Sequence, residues 1–426
     1  MKKSLAIITL LLIPIIPNVG FGNTLTVGPG KNFASIQEAI NEASCGDTVL
    51  VYADTYHENI EINRGCSSST SVLTIQTAEP GVIIDGGGND PCINIPYGNG
   101  IEYVDFDGST NGRFTLQNCG RPSNNPTRNN YNGGGFVSIG NRNINVKGMN
   151  IISSGNTGAE DMDSENWAIG FQFHGSHTEC TRPGGCVWED ITIDCSDFDN
   201  CFASAMNVEK TKNATIRNVK VIDSGSRYGM RIMSVEDVIF EKNYIKCAIN
   251  AYDWNNSVSG VERVRACFRL RESEDVIMRY NVINTTGSSG MISCVAFTDE
   301  GEAIGFDFEG QQTENYQIYN NIFDCDVEKR SSQTEDNIGF WGKHTGVSFT
   351  NNIINVESLR WRPLSFHHCG SDPIELTNNL FSGNSNSSDI YYGSDCADVI
   401  SSINHVNASN PGWIGSGNTP VPYYLP

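Results

Sequence analysis

Arg231 and Arg269 each stand twelve residues ahead of an asparagine in a matching phrase, Asn243 in VIFEKNYI and Asn281 in VIMRYNVI. A guanidinium is a planar fork that grips carboxylate or sulfate through two parallel hydrogen bonds. Two forks at equivalent positions of neighbouring repeats would lie about 4.8 Å apart and form a site for an acidic polymer. Allowing for loops of unequal length, the same row continues through Asp307, Trp341 and His367, with Gln172 upstream. Two residues further along each repeat come His174, Arg271, Glu309 and Lys343.

Two chemistries fit these side chains. In β-elimination a base removes the proton α to a uronate carboxylate, whose charge must be neutralised. Arg271 or Lys343 would be that base if neighbouring cations lower its pKa. Arg231, Arg269 or a calcium ion would hold the carboxylate, and Trp341 would give a pyranose ring a flat platform. In glycoside hydrolysis, two carboxylates flank the scissile bond. Asp307 and Glu309, two apart on one strand, would place side-chain origins about 6–7 Å apart. Straddling a bond from one strand is awkward, so elimination ranks first. The plainer reading is a cross-repeat salt-bridge ladder, Asp307 beside Arg269 and Glu309 beside Arg271, worth about 0–1 kcal/mol per exposed pair.

Other clusters point less sharply. EDMDSE (Glu160 to Glu165) and DCSDFDN (Asp194 to Asn200) hold many acids, but neither has a calcium-loop spacing, so they read as solvated loops. Neither Cys-x-x-Cys nor His-x-x-x-His occurs, which gives no metal ligand set. No glycine-rich loop leads from a strand into a long helix, so nucleotide binding has no support.

A repeat must bring these residues together. The aligned asparagines are Asn218, Asn243, Asn281, Asn321, Asn352 and Asn379, at intervals of 25 to 40 residues. Asn150 and Asp190 resemble earlier members. Such spacing predicts a solenoid whose coils bury apolar strands by stacking. Asparagine suits the bend because it tolerates left-handed backbone angles and its amide can bond the next coil. Ile-Gly-Phe, written at Ile169, Ile304 and Ile338, reads as a second strand repeated at one position of each coil.

Composition sets the boundaries. The formal charge is −21, from 49 acidic and 28 basic residues, which argues against nucleic acid or an anionic membrane as partner. Met-Lys-Lys followed by an apolar run from Leu5 to Ile16 predicts a signal peptide over residues 1–22. No later run is long enough for a membrane span. Fourteen cysteines, an even number, fit export to an oxidising compartment, with Cys180/Cys186 and Cys195/Cys201 as loop staples.

The stretch GPGKNFASIQEAINEASCGDTVLVYADTYHENIEINRG, followed by SVLTIQTAEPGVIIDGGG, resembles the opening of secreted right-handed parallel β-helix proteins in the pectate-lyase-like superfamily. Phe33, Ile36, Ile40 and Ala43 also fall at helical spacing. The resemblance implies an all-β, single-stranded right-handed parallel β-helix over residues 23–426, with a short N-terminal capping helix. It specifies fold more than chemistry, because hydrolases, lyases, epimerases and adhesive proteins share that fold. The Asn-Thr-Asp-Gly, Gly-His-Gly and Arg-Ile-Lys motifs of polygalacturonase-like hydrolases and the Arg-His-Gly-type motif of lyases are absent. DFEG at Asp307 to Gly310 echoes only part of the pectin methylesterase pattern. The expectation is a monomeric exported carbohydrate-active enzyme, a polysaccharide lyase before a hydrolase, with a non-catalytic glycan-binding rod as the alternative.

Overall fold

The computed structural model describes residues 22–88, 90–96, 100–120, 134–152, 169–195, 204–222, 228–247, 266–285, 293–298, 313–325, 336–356, 362–369, 372–383, 390–393, 396, 399–402, 404–408 and 419–420. The expected leader therefore lies almost wholly outside the described residues. Among the described residues no helix is long and apolar enough to cross a membrane.

Each coil has three short strands, and each strand pairs in parallel with its counterpart one coil on. Tyr228–Met233, Glu236–Glu241 and Tyr244–Lys246 pair with Ala266–Arg271, Glu274–Arg279 and Val282–Asn284 in turn. The three strands of a coil belong to what we name the first, second and third sheets. A right-twisted strand returns to its own sheet through a right-handed crossover. The architecture is the expected right-handed parallel β-helix.

Alternation along the strands makes the core. In the second sheet Val238 and Phe240 point inward, and Val276 and Met278 continue their columns. Equivalent aromatics stack between coils: Phe297, Phe340 and Phe366 have successive ring centroids 4.3 and 4.6 Å apart. One coil alone could not bury such a face, so stacking is what stabilises each coil.

The corner between the second and third sheets divides into two adjacent positions the roles expected of a single asparagine. Asn218, Lys242, Tyr280, Asn320, Asn351 and Asn378 take the left-handed backbone, with φ between 50° and 60°. The next residue forms a buried ladder of Asn243, Asn281, Asn321, Asn352, Asn379 and Asn404. From Asn243 to Asn379, each Nδ2 donates to the Oδ1 one coil on, at 2.9 to 3.1 Å. Asn218 therefore belongs one place earlier than the sequence alignment put it. Val219 fills its coil's ladder position, and its N–H donates to Asn243 Oδ1 at 2.9 Å. Asp190 shares the left-handed position of Asn218, whereas Asn150 pairs with Thr192 in the third sheet.

The capping helix spans Ile36–Glu42. Ser35 accepts from Glu38 N–H, and Glu58 accepts from the N–H groups of Ile36 and Gln37 at 2.7 and 3.0 Å, which satisfies three of its free donors. Ile36, Ala39 and Ile40 are its buried face, with Ala43 buried at the C-cap. Phe33 lies before the helix, bridged to Val27.

Six disulfides join Cys45–Cys66, Cys92–Cys119, Cys180–Cys186, Cys247–Cys267, Cys294–Cys325 and Cys369–Cys396. Cys195 is also bonded, and position 201 lies outside the described residues. All six lie at the two corners that border the first sheet. The asparagine corner has none among the described residues, because the ladder already holds it.

Candidate functional site

The outer face of the first sheet carries Gln172, His174, Arg231, Arg269 and Arg271. Arg231 and Arg269 are register partners there, and Asn207 and Gln172 precede them on successive coils. His174, Glu209, Met233 and Arg271 form the parallel row two residues on.

Beyond Arg269 the sequence alignment loses register. Ala296 follows Arg269 and Thr298 follows Arg271, because the next strand is Ser293–Thr298. The Asp307 and Glu309 ladder expected beside the arginines is not at that register, and both residues lie outside the described residues, as does Ile304. Trp341 pairs with Thr298, which places it in the row of Arg271 rather than that of Arg231. Ile338 continues the column of Phe171 and not of Ile169, so the two Ile-Gly-Phe phrases are offset by two residues. His367 follows Phe366, the partner of Phe340, and so extends the Trp341 row. Past an irregularity after Phe340, Lys343 pairs with His368. Unequal loops and this irregularity caused the slip, since counting from a distant asparagine cannot register either.

The arginines are more enclosed than outward strand positions suggest. Arg231 is 8% exposed and Arg269 6%. Arg231 Nη1 donates to Glu209 Oε1 at 2.7 Å and to Asn207 Oδ1 at 3.4 Å. Asn207 Nδ2 donates to the same Glu209 oxygen at 2.9 Å, and His174 Nε2 lies 3.7 Å from the other. Burial pushes the Glu209 carboxyl up, but Arg231, His174 and Asn207 together outweigh it and hold the group below the usual carboxylate range. Glu209 is thus a buried anion in a cationic setting.

Arg269 Nη1 donates to Tyr228 Oη at 2.8 Å and Nε to Thr298 Oγ1 at 3.3 Å, with its guanidinium 5.6 Å from the Tyr228 ring centroid. Arg271 donates from Nε and Nη2 to Glu272 Oε1 at 2.9 and 2.8 Å. That contact favours a fixed cation and weighs against Arg271 as a base. Side chains at His174 and Arg271 keep 15% and 14% exposure, and Trp341, His367 and Tyr391 are half-buried. The accessible edge is therefore the second outward row, ending in Trp341 and His367, which stack at 5.7 Å; Tyr391, 5.3 Å from His367, continues the row of Arg269. Sequence reading missed Glu209, Asn207 as its partner, Tyr228 and Tyr391. Alternation from Asn207 would have located Glu209 on the outer face, two residues further along the same strand.

Among the described residues no three carboxylate, histidine or cysteine side chains gather to hold a metal ion. The acids nearest the arginines, Glu209 and Glu272, are bonded to Arg231 and Arg271. Glu160 to Glu165 and positions 196–200 lie outside the described residues.

No family model and no curated protein matches the chain. Solved structures similar to it include the GH136 lacto-N-biosidase from Eubacterium ramulus, at 11% identity over 91% of this chain and 68% of that one, with TM-score 0.49. The A-module of the mannuronan C-5 epimerase AlgE6 from Azotobacter vinelandii matches at 14% identity over 91% and 93%, with TM-score 0.43. The family 28 exopolygalacturonase of Yersinia enterocolitica matches at 10% identity over 91% and 71%, again with TM-score 0.43. The stacked parallel coils, the asparagine ladder and the capping helix themselves make this chain a right-handed parallel β-helix, the architecture of the pectate-lyase-like superfamily.

Proposed function

We propose that the protein is an exported carbohydrate-active enzyme that binds an acidic polysaccharide along the outer face of the first sheet and cleaves it by β-elimination. One observation carries this reading. A chain of net charge −21 sets Arg231, Arg269 and Arg271 on adjacent coils of one face and follows them with stacked rings. Arg271 would hold the uronate carboxylate, with Arg231 and Arg269 raising the local positive potential beneath it. A pyranose ring would lie on Trp341, two coils or about 10 Å further along. Proton abstraction then falls to Lys343 or His367, both on the coils that carry the rings.

The test is a panel of uronate polymers incubated with protein, with added calcium or with chelator, and followed by the ultraviolet absorbance of unsaturated ends. Absorbance should grow on at least one polymer and vanish in Arg271→Ala. New reducing ends without absorbance would mean hydrolysis instead.

A second reading, glycan binding without cleavage, is favoured by the hydrogen bonds that Arg231 and Arg269 make within the protein. Calorimetric binding with neither absorbance nor reducing ends would establish it. In either case Trp341→Ala should weaken binding about tenfold, the effect of about 1.4 kcal/mol from one aromatic platform.

A further inference from the structure

We infer that Gly339 is a positioning residue: the space it leaves lays the Trp341 indole flat on the first sheet, and only in that pose does the ring serve as a sugar platform. The inference rests on Trp341 being a glycan contact, but not on cleavage.

The backbone does not require a glycine at position 339. It lies inside the strand Asp336–Thr345, and its φ is outside the left-handed region. Its register partners on the neighbouring coils are Ala296 and Ser365, so the sheet accepts a side chain at this point on either side. Glycine weakens a strand interior, and where it stands there another group often approaches closely. The approaching group is Trp341. A Cβ built on Gly339 would come within 2.5 Å of three consecutive atoms of the six-membered ring, Cζ2, Cη2 and Cζ3. Meeting three ring atoms almost equally puts that Cβ over the ring face, away from its edge. The indole therefore lies across the strand and fills the volume a side chain would take.

Two features of the same strand turn the ring that way. From Phe340 to Lys343 the strand advances one residue more than its neighbour does from Phe366 to His368, and Gly342 takes a φ of 92° there. Such a bulge re-aims the side chains beside it. His344, buried in the core, fixes the bulge with Nε2 3.0 Å from the Trp341 carbonyl oxygen. Trp341 is half-buried, and with one face on Gly339 its exposed surface belongs to the other. A ring lying flat suits the C–H face of a pyranose, whereas a ring standing on edge would offer only its rim. His367 on the next coil, with its plane 21° from that of the indole, carries the platform one strand further.

The experiment makes Gly339→Ala, Trp341→Ala and the double variant. Each is measured for its thermal unfolding midpoint and for calorimetric affinity toward polygalacturonate, alginate, xylo- and galacto-oligosaccharides. The added methyl should lower the midpoint where the indole is present, and leave it unchanged or raised in the Trp341→Ala background, where the space is empty. For the oligomer that binds, Gly339→Ala should weaken affinity about tenfold, as Trp341→Ala does, with no further loss in the double variant. An unchanged midpoint beside the indole, or an equal loss in both backgrounds, would overturn the inference. Weaker binding in Trp341→Ala but not in Gly339→Ala would overturn it and leave the platform in place. Should Trp341→Ala not weaken binding, or should none of the oligomers bind, the glycan reading of Trp341 fails and the inference with it.

Discussion

Arg231 and Arg269 are register partners on adjacent strands, yet their guanidinium groups take different partners. Arg231 reaches back to Glu209 at 2.7 Å, whereas Arg269 bonds the Tyr228 hydroxyl at 2.8 Å and Thr298 at 3.3 Å. Like charges stacked on neighbouring strands repel. Directing one fork toward a buried carboxylate and the other toward hydroxyls relieves that repulsion and fixes both side chains. The result is a rigid cationic floor.

Glu209→Gln should therefore be strongly destabilising. The side chains of Glu209 and Arg231 are only 5% and 9% exposed, so the substitution strands a buried cation. Breaking such a pair costs about 3–5 kcal/mol, and replacing both partners together recovers much of it. Urea denaturation should show this loss for Glu209→Gln and a smaller one for Glu209→Gln with Arg231→Met. A loss below about 1 kcal/mol in the single variant would mean that the pair is screened like a surface contact. The Glu209 carboxyl is held below its ordinary range, so its contribution is present above the unfolded pKa and is lost as pH falls through the folded one.

The ladder makes a second demand. Asn321 accepts from the backbone N–H and Nδ2 of Asn281, and donates to Met278 O and Asn352 Oδ1. Asn321→Ala would leave two donors and a carbonyl unpaired in a buried corner. We expect a loss of about 2–4 kcal/mol by denaturant unfolding, from two or more unsatisfied groups. Asn320→Ala, at the left-handed position beside it, should cost less, since only backbone strain changes.

The limits of sequence reading follow from the same corner. Strand-Asn phrases were legible because stacking requires an identical inward residue at an identical bend, and Asn243, Asn281, Asn321, Asn352 and Asn379 meet that requirement. Arg231 and Arg269 were legible as neighbours because both are counted from such a bend across the same number of residues. Trp341 was misplaced by two positions because its Ile-Gly-Phe phrase sits two residues out of register with that of Ile169, and the strand is irregular after Phe340. Glu209 was legible as an outward residue, two after Asn207, but not as the partner of Arg231. Its partner lies one coil away, and no spacing rule announces which acid a buried arginine will choose.

Like-charge stacking recurs in the second sheet, where Lys212, paired with Glu236, relieves it only in part. Glu236, Glu274 and Glu314 are register partners on three successive coils of the second sheet. Partial burial first, then Asp275, Glu236 and Glu314, raise the Glu274 carboxyl above its ordinary value. A raised folded-state pKa means that stability is lost as pH rises through it, so the column strains the protein at neutral pH. Glu274→Gln should raise stability at pH 7 by up to about 1 kcal/mol, the ceiling for a screened surface group. The gain should shrink as pH drops into the carboxylate range. A pH-independent gain would point to packing rather than charge.

His344 sets the acid limit from inside the core. It is fully buried, edge-on to Phe340 at 5.3 Å, with Nε2 3.0 Å from the Trp341 carbonyl oxygen. Burial depresses its pKa from 6.5 to about 4, against smaller opposing effects from the Trp341 and Phe297 backbone. The unfolded chain therefore takes up a proton between those values that the folded protein refuses. Stability should fall on acidification from pH 6.5 toward 4, by about 1.4 kcal/mol per pH unit from this residue. His344→Gln keeps a neutral donor for the Trp341 carbonyl and cannot titrate. Unfolding free energies across that window should show one proton less of pH slope in the variant, even if it is less stable at every pH. Equal slopes would place the His344 proton in the folded state as well, and the acid sensitivity would then belong to the carboxylates.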